Sequence, residues 1–318
     1  MQSKKIVILG TGGTIAGRAG NAFDNVGYTA AQVGVDELVQ AIPALAAAGE
    51  LITEQLAQLD SKDMTFAVWG QLAERVGYFL ARDDVQGVVV THGTDTIEET
   101  AFFLQSVLNP AKAVVLTCAM RPATSLAPDG PQNMLDAVTV ARHAGAQGVT
   151  VVCAGVVHGA LDVQKAHTYR LDAFSSGDAG PVAYVEEGQL KILRNWPMAE
   201  VERAQPAIKN IAFAGRPWPR VEIVMSYAGV GGAVVEALVA QGVRGLVLAG
   251  TGNGTAHRDL EAALLEAQAA GVRVIRASRC ANGRVLPKTG DAFDDSRGLS
   301  PVKARIALML ALMAQGAA

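Results

Sequence analysis

The chain has 318 residues, of which 50% are hydrophobic and only 18% charged, a balance that excludes a disordered chain and suffices for two packed domains. Its formal charge is -3 with Lys and Arg scattered, which excludes the basic patch that neutralises phosphates, so nucleic acid is not an expected partner. No apolar run reaches the roughly 18 residues of a membrane span, and the opening MQSKKIVILG lacks the longer apolar core of a signal peptide, so a cytoplasmic protein with no membrane partner is expected.

In chain order, short β-branched runs at residues 6–9, 88–91, 114–117 and 149–153 read as buried parallel strands. The first three are followed by GTGGTIAG (10–17), HGTDT (92–96) and CAMRPATS (118–125), so polar atoms gather where strands end, the edge at which open α/β sheets bind ligands. Apolar residues at three- and four-residue spacing predict covering helices over 97–108 and 130–144. From 196 to 219 the pattern weakens around Pro197, Pro206, Pro217 and Pro219, which reads as a linker. Strands at 221–225, 245–248 and 272–275 and a last helix at 302–313 then repeat the order in a smaller unit. The expected architecture is two α/β domains with mainly parallel sheets: a larger N-terminal catalytic domain (1–196), a linker (197–219) and a smaller C-terminal domain (220–318).

Cys118, Cys153 and Cys280 lie far apart without CxxC or Cys/His spacing, so reduced, buried thiols are expected and no metal site. The glycines at 10, 12, 13 and 17 suggest a dinucleotide turn, but a GxGxxG fingerprint from Gly10 requires glycine where Ile15 stands, and no GK[ST] follows. No cofactor is indicated. A tight turn also simply needs glycine, which leaves Thr14 to be explained. In His92-Gly93-Thr94-Asp95-Thr96, Thr96 with Glu99 fits a helix capping box. Thr94 and Asp95 remain, and a threonine beside a carboxylate can join a proton relay while the carboxylate binds an ammonium group.

The stretches TGGTIAG (11–17), HGTDTIEETAFFL (92–104) and AMRPATS followed by DGPQN (119–133) closely resemble bacterial L-asparaginases, the type II group above all. Further similarity lies in GYTAAQVGVDELV from Gly27, DSKDM from Asp60, LDVQK ending at Lys165, AGTGNGT from Ala249 and the C-terminal SPVKAR, so the resemblance spans nearly the whole chain.

That resemblance implies an amidohydrolase acting on L-asparagine, and more weakly on L-glutamine, through a threonine nucleophile and no cofactor. Thr14 matches the nucleophile and Tyr28 the tyrosine that helps activate it, both in a mobile lid. Thr94, Asp95 and Lys165 match a second catalytic group. Substrate contacts are implied at Gly13, Ser61, Lys62, Gly93, Thr94, Asp95 and Ala119. Lys62 stands where the family commonly has glutamine, and lysine cannot accept a hydrogen bond from an ammonium group. Asn253 and Thr255 match a segment that reaches a neighbouring subunit's site, which implies a homotetramer built as a dimer of dimers. The alternative is a non-catalytic amino-acid-binding protein that keeps this fold.

Overall fold

The apolar run in Lys5–Gly12 (β1) can only sit inside a sheet covered on both faces, and every residue after Lys5 in it is buried. The protein's computed structural model describes residues 4–47, 49–197, 213 and 216–315. Among these, residues 4–197 with 213 form one compact unit and 216–315 another. Most of the expected linker, 197–219, lies outside the described residues.

In the first unit β1 pairs in parallel with Leu51–Leu59 (β2) on one side and Val85–Thr91 (β3) on the other. Ala113–Thr117 (β4) and Gly148–Cys153 (β5) extend the sheet in parallel, with Val88 opposite Val114 and Val114 opposite Val149. Direction then reverses. Val156–Gly159 (β6) runs antiparallel to β5. Gln164–Lys165 (β7) and Phe174–Ser175 (β8) form a separate ribbon, and Ala183–Glu186 (β9) with Gln189–Ile192 (β10) completes an eight-stranded sheet ordered β10-β9-β6-β5-β4-β3-β1-β2.

The helices of this unit are Val35–Gln40 (α1), Pro43–Ala47 (α2), Phe66–Leu80 (α3), Ile97–Leu108 (α4) and Gly130–Arg142 (α5). Ile6, Ile8, Val89 and Val115 share a core cluster with Met134, Ala137, Val138 and Ala141 of α5. The alternate strand residues Val7, Leu9, Val88 and Val90 are also fully buried, so the strand period of two supplies a core to both faces. Trp69 of α3 stacks on Phe103 of α4 with ring centroids 5.0 Å apart. The expected strands of this unit are present, each longer than read, and α4 has the expected bounds. α5 ends two residues short of 144 because His143 turns extended.

The second unit is a parallel sheet of Val221–Met225 (β11), Gly245–Gly250 (β12), Arg273–Ser278 (β13) and Asp294–Asp295 (β14) in that order. Ala233–Ala240 (α6), Arg258–Ala269 (α7) and Pro301–Gln315 (α8) are its helices. Val224, Leu246, Leu248, Leu260, Leu264 and Val274 form its core. All three thiols are free. Cys118 and Cys153 are buried as expected, but Cys280 is exposed, because it lies in the loop past the end of β13. No helix among the described residues is long and apolar enough to cross a membrane.

Candidate active site

Four neighbouring parallel strands, β2, β1, β3 and β4, end at the same edge of the large sheet and lead into Ser61, Thr14, Thr94 and Ala119. The chain visits β2 on one side of β1 and β3 on the other, which makes this edge a topological switch point, the place where such sheets bind ligands.

At the end of β1, Gly12 and Gly13 take φ of 103° and 82°, a region side chains disfavour. Gly13 also lies against the loop after β3, where an added Cβ would come within 2.4 Å of the Gly93 backbone. A Cβ on Gly93 would in turn meet Ser61 Oγ at 2.5 Å. Three loops therefore touch through two glycines. Thr11, the other threonine of the motif, is structural: its hydroxyl donates to the Thr91 carbonyl at 2.8 Å and ties β1 to β3.

Thr14 opens a single 3-10 turn, Thr14–Ala16, and is buried. Its Oγ1 lies 2.6 Å from the half-buried Tyr28 hydroxyl. The intervening loop folds back through paired backbone hydrogen bonds between Arg18 and Thr29, both 2.9 Å. It is tied to the loop after β4 by Leu126 N–H donating to the Ala22 carbonyl at 2.9 Å and by Ser125 Oγ donating to Asn25 Oδ1 at 2.7 Å. Phe23 and Val26 at its tip are exposed.

Beside this pair, Thr94 is buried and Asp95 half exposed. Lys165 Nζ donates to Thr94 Oγ1 at 2.7 Å and to Asp95 Oδ1 at 2.6 Å. Lys165 comes from β7, outside the large sheet, and its backbone N–H donates to Glu98 Oε2 at 2.7 Å. Ser61 Oγ accepts the Asp95 N–H at 3.1 Å. The Thr96 half of the expected capping box does not form: its side chain makes no cap hydrogen bond and donates instead to the Ser61 carbonyl at 2.8 Å. The Ser61 turn thus competes for the hydroxyl and wins.

Beneath the Thr94 loop lies a chain of hydrogen bonds. Trp69 Nε1 donates to Thr100 Oγ1 at 2.9 Å, leaving the threonine hydrogen for His92 Nε2, also at 2.9 Å. His92 Nδ1 faces the Gly93 carbonyl at 2.8 Å. A carbonyl only accepts, so the imidazole is the neutral Nδ1–H tautomer. Complete burial pushes its pKa down to about 4, against the opposing pull of that carbonyl.

The other candidates divide. Ala119 is fully buried at the end of β4, and the loop after it is pinned by Asp129, whose carboxylate accepts the N–H groups of Met120 and Arg121, both at 2.9 Å. Lys62 is not drawn in with the others. Its ammonium lies 2.8 Å from Asp63 and 3.2 Å from Asp60, its side chain is 60% exposed, and these two carboxylates, Asp63 first, hold its pKa above the ordinary value. In the second unit Asn253 clasps the Leu286 backbone, donating to its carbonyl at 2.9 Å and accepting its N–H at 2.7 Å. Thr255 Oγ1 lies 2.8 Å from Thr251 Oγ1. Among the described residues no group of three His, Cys, Asp or Glu side chains is arranged to hold a metal.

Residues 5–198 match the model of the asparaginase N-terminal domain, and residues 220–317 match that of the glutaminase/asparaginase C-terminal domain. The chain belongs to the asparaginase family. L-asparaginase 2 of Escherichia coli (strain K12) is 38% identical to it over 314 residues, covering 96% of this chain and 88% of the relative. Glutaminase-asparaginase of Pseudomonas fluorescens biotype A is 35% identical over 315 residues, covering 96% and 86%. A crystal structure of a probable cytoplasmic L-asparaginase from Campylobacter jejuni matches with a TM-score of 0.88 at 35% identity, covering 98% of this chain and 95% of that one.

For an asparaginase-family chain the geometry is chemically sufficient in kind. A threonine hydroxyl is a weak nucleophile until a partner takes its proton, and here two threonines each have an ionisable or hydroxylic partner within hydrogen-bond distance. The Glu98 contact and the Trp69-Thr100-His92 chain were not signalled by the sequence. An acidic residue in a first helical turn reads as a partner for the helix dipole, and a histidine between a strand and a loop carries no mark of its remote partners.

Proposed function

We propose that this asparaginase-family protein hydrolyses the side-chain amide of L-asparagine to L-aspartate and ammonia, with L-glutamine as a weaker substrate. The observation that carries the reading is the pair of threonine clusters, Thr14 with Tyr28 and Thr94 with Asp95 and Lys165, on loops that touch through Gly13 and Gly93. In this reading Thr14 Oγ attacks the amide carbon and gives up its proton with help from Tyr28. The Thr94, Lys165 and Asp95 group moves protons on the other side of the amide. Backbone N–H groups hold the oxyanion, and the amide nitrogen gains a proton and leaves as ammonia. Water then cleaves the ester at Thr14, so one water is consumed per ammonia and aspartate formed.

Ser61 and Asp95 are the proposed contacts for the substrate α-carboxylate and α-ammonium. Asp95 would then serve both the lysine and the substrate. Glutamine is longer by one methylene, which a pocket discriminates by only about 10- to 200-fold. A homotetramer, with Asn253 and Thr255 contributing to a neighbouring subunit's site, and a cytoplasmic location belong to the same proposal. A non-catalytic binding protein has no observation in its favour. The test is ammonia release by the purified protein on both amides. Release from L-asparagine, faster than from L-glutamine, is expected, and none from either amide overturns the reading.

A further inference from the structure

Lys165 sits in a two-residue strand of a two-stranded ribbon outside the main sheet, and isolated pairs of short strands are only marginally stable. Yet its Nζ lies within hydrogen-bond distance of both Thr94 Oγ1 and Asp95 Oδ1. A long, freely rotating side chain holds its tip in place only if its backbone is fixed. The contact that fixes it is unusual: its N–H donates to a carboxylate oxygen, Glu98 Oε2, at 2.7 Å across 67 residues of sequence.

Glu98 lies in the first turn of α4, directly after the loop that carries Thr94 and Asp95. Both ends of Lys165, backbone nitrogen and ammonium, are thus attached to one five-residue stretch, 94–98. We propose that Glu98 is a positioning residue that sets the distance from Lys165 Nζ to Thr94 Oγ1. This rests on the amidohydrolase reading for its effect on rate, but the tether itself is a matter of geometry. In this proposal Glu98 acts on the reaction through Lys165. What it supplies is an acceptor of the right reach, so its charge is secondary.

Three variants separate reach from charge. Glu98→Gln keeps an oxygen at the same reach without the charge. Glu98→Asp keeps the charge but is shorter by one C–C bond, about 1.5 Å. Glu98→Ala removes both. Because a misplacement of about 1 Å can cost on the order of 100-fold, Glu98→Asp and Glu98→Ala are expected to lose about 10- to 100-fold in kcat on L-asparagine, with KM within about threefold. Glu98→Gln is expected to recover at least about a third of native kcat. Should Glu98→Ala fail to fold, the Asp and Gln variants decide the matter. A Gln variant as impaired as the Asp variant, or an Asp variant with native kcat, overturns the proposal. Crystal structures of the Asp and Gln variants give a readout independent of turnover. Lys165 Nζ is expected to leave Thr94 Oγ1 in the first and stay in the second, and an Asp variant keeping that contact below about 3.2 Å overturns the proposal. Native protein without turnover would sink the amidohydrolase reading while leaving this structural comparison to decide the tether.

Discussion

Lys165 reaches across 71 residues of chain to place its ammonium 2.7 Å from the Thr94 hydroxyl. The same nitrogen meets Asp95, whose side chain is 51% exposed, so the ion pair is worth little to folding, about 0–1 kcal/mol. In the proposed mechanism its value lies in the reaction. Lys165→Met is expected to lower kcat for ammonia release by roughly 10²- to 10⁴-fold while leaving the melting midpoint almost unmoved. Steady-state kinetics paired with a thermal melt check both halves, and a loss smaller than tenfold would remove Lys165 from the proton-moving group.

The Gly13 and Gly93 contact makes a prediction about assembly of the site. Gly93→Ala puts a methyl 2.5 Å from Ser61 Oγ and 3.2 Å from Gly13 Cα, so the three loops must part. The expected cost is about 1–3 kcal/mol in urea denaturation, with a raised KM. Gly13→Ala should cost at least as much, since backbone strain at a φ of 82° adds to the clash with Gly93. Native stability in either variant would mean that the loops are not in contact.

His92 gives a pH dependence of known sign. Its pKa in the folded protein is about 4, below the ordinary value of about 6.5, so the unfolded chain binds the proton more readily. Stability associated with neutral His92 is complete above about pH 6.5 and declines as pH falls towards 4, by roughly 3 kcal/mol in all. Denaturant titrations of native protein and His92→Asn at pH 7, 5.5 and 4.5 should converge as pH falls. Parallel curves would show that the imidazole is not buried neutral.

Lys62 is held outward between Asp60 and Asp63. Lys62→Gln should therefore change KM for L-asparagine by less than about threefold, as expected of an exposed ion pair. A large gain in kcat/KM would mean that the lysine swings into the substrate site during turnover.

The parts of the fold that could be read in the sequence are those made by local pattern. β1, β3, β4 and β5 are runs of Val, Ile and Leu buried on both faces, and α4 keeps helical spacing from Ile97 to Leu108. β2 escaped because its sequence, LITEQLAQL, mixes polar with apolar residues at the sheet's edge and is nowhere fully buried. The short antiparallel strands β6, β9 and β10, four residues each, are defined by pairing across the chain and have little pattern of their own.

The site shows the same division. Thr14, Thr94, Asp95 and Lys165 were proposed through motif resemblance, which carries tertiary information that spacing alone lacks. Where only local rules were available they misled: Thr96 and Glu99 have the right separation for a capping box, but the hydroxyl goes to Ser61, 35 residues away. Lys62, expected by resemblance at the substrate, has its ammonium beside Asp60 and Asp63. Glu98 and the His92 chain were invisible because their partners lie on other elements.

The nucleophile is the point on which the rest turns, and the 2.6 Å contact between Thr14 and Tyr28 is what a substitution can probe. Tyr28→Phe should cost about tenfold in kcat, the worth of one hydrogen bond. The most direct measurement is ammonia and aspartate formation from L-asparagine by native protein and Thr14→Ala, each checked for the same fold by circular dichroism. A fall of at least about 10³-fold in both products is expected, and a folded Thr14→Ala protein within tenfold of native turnover would contradict the assignment.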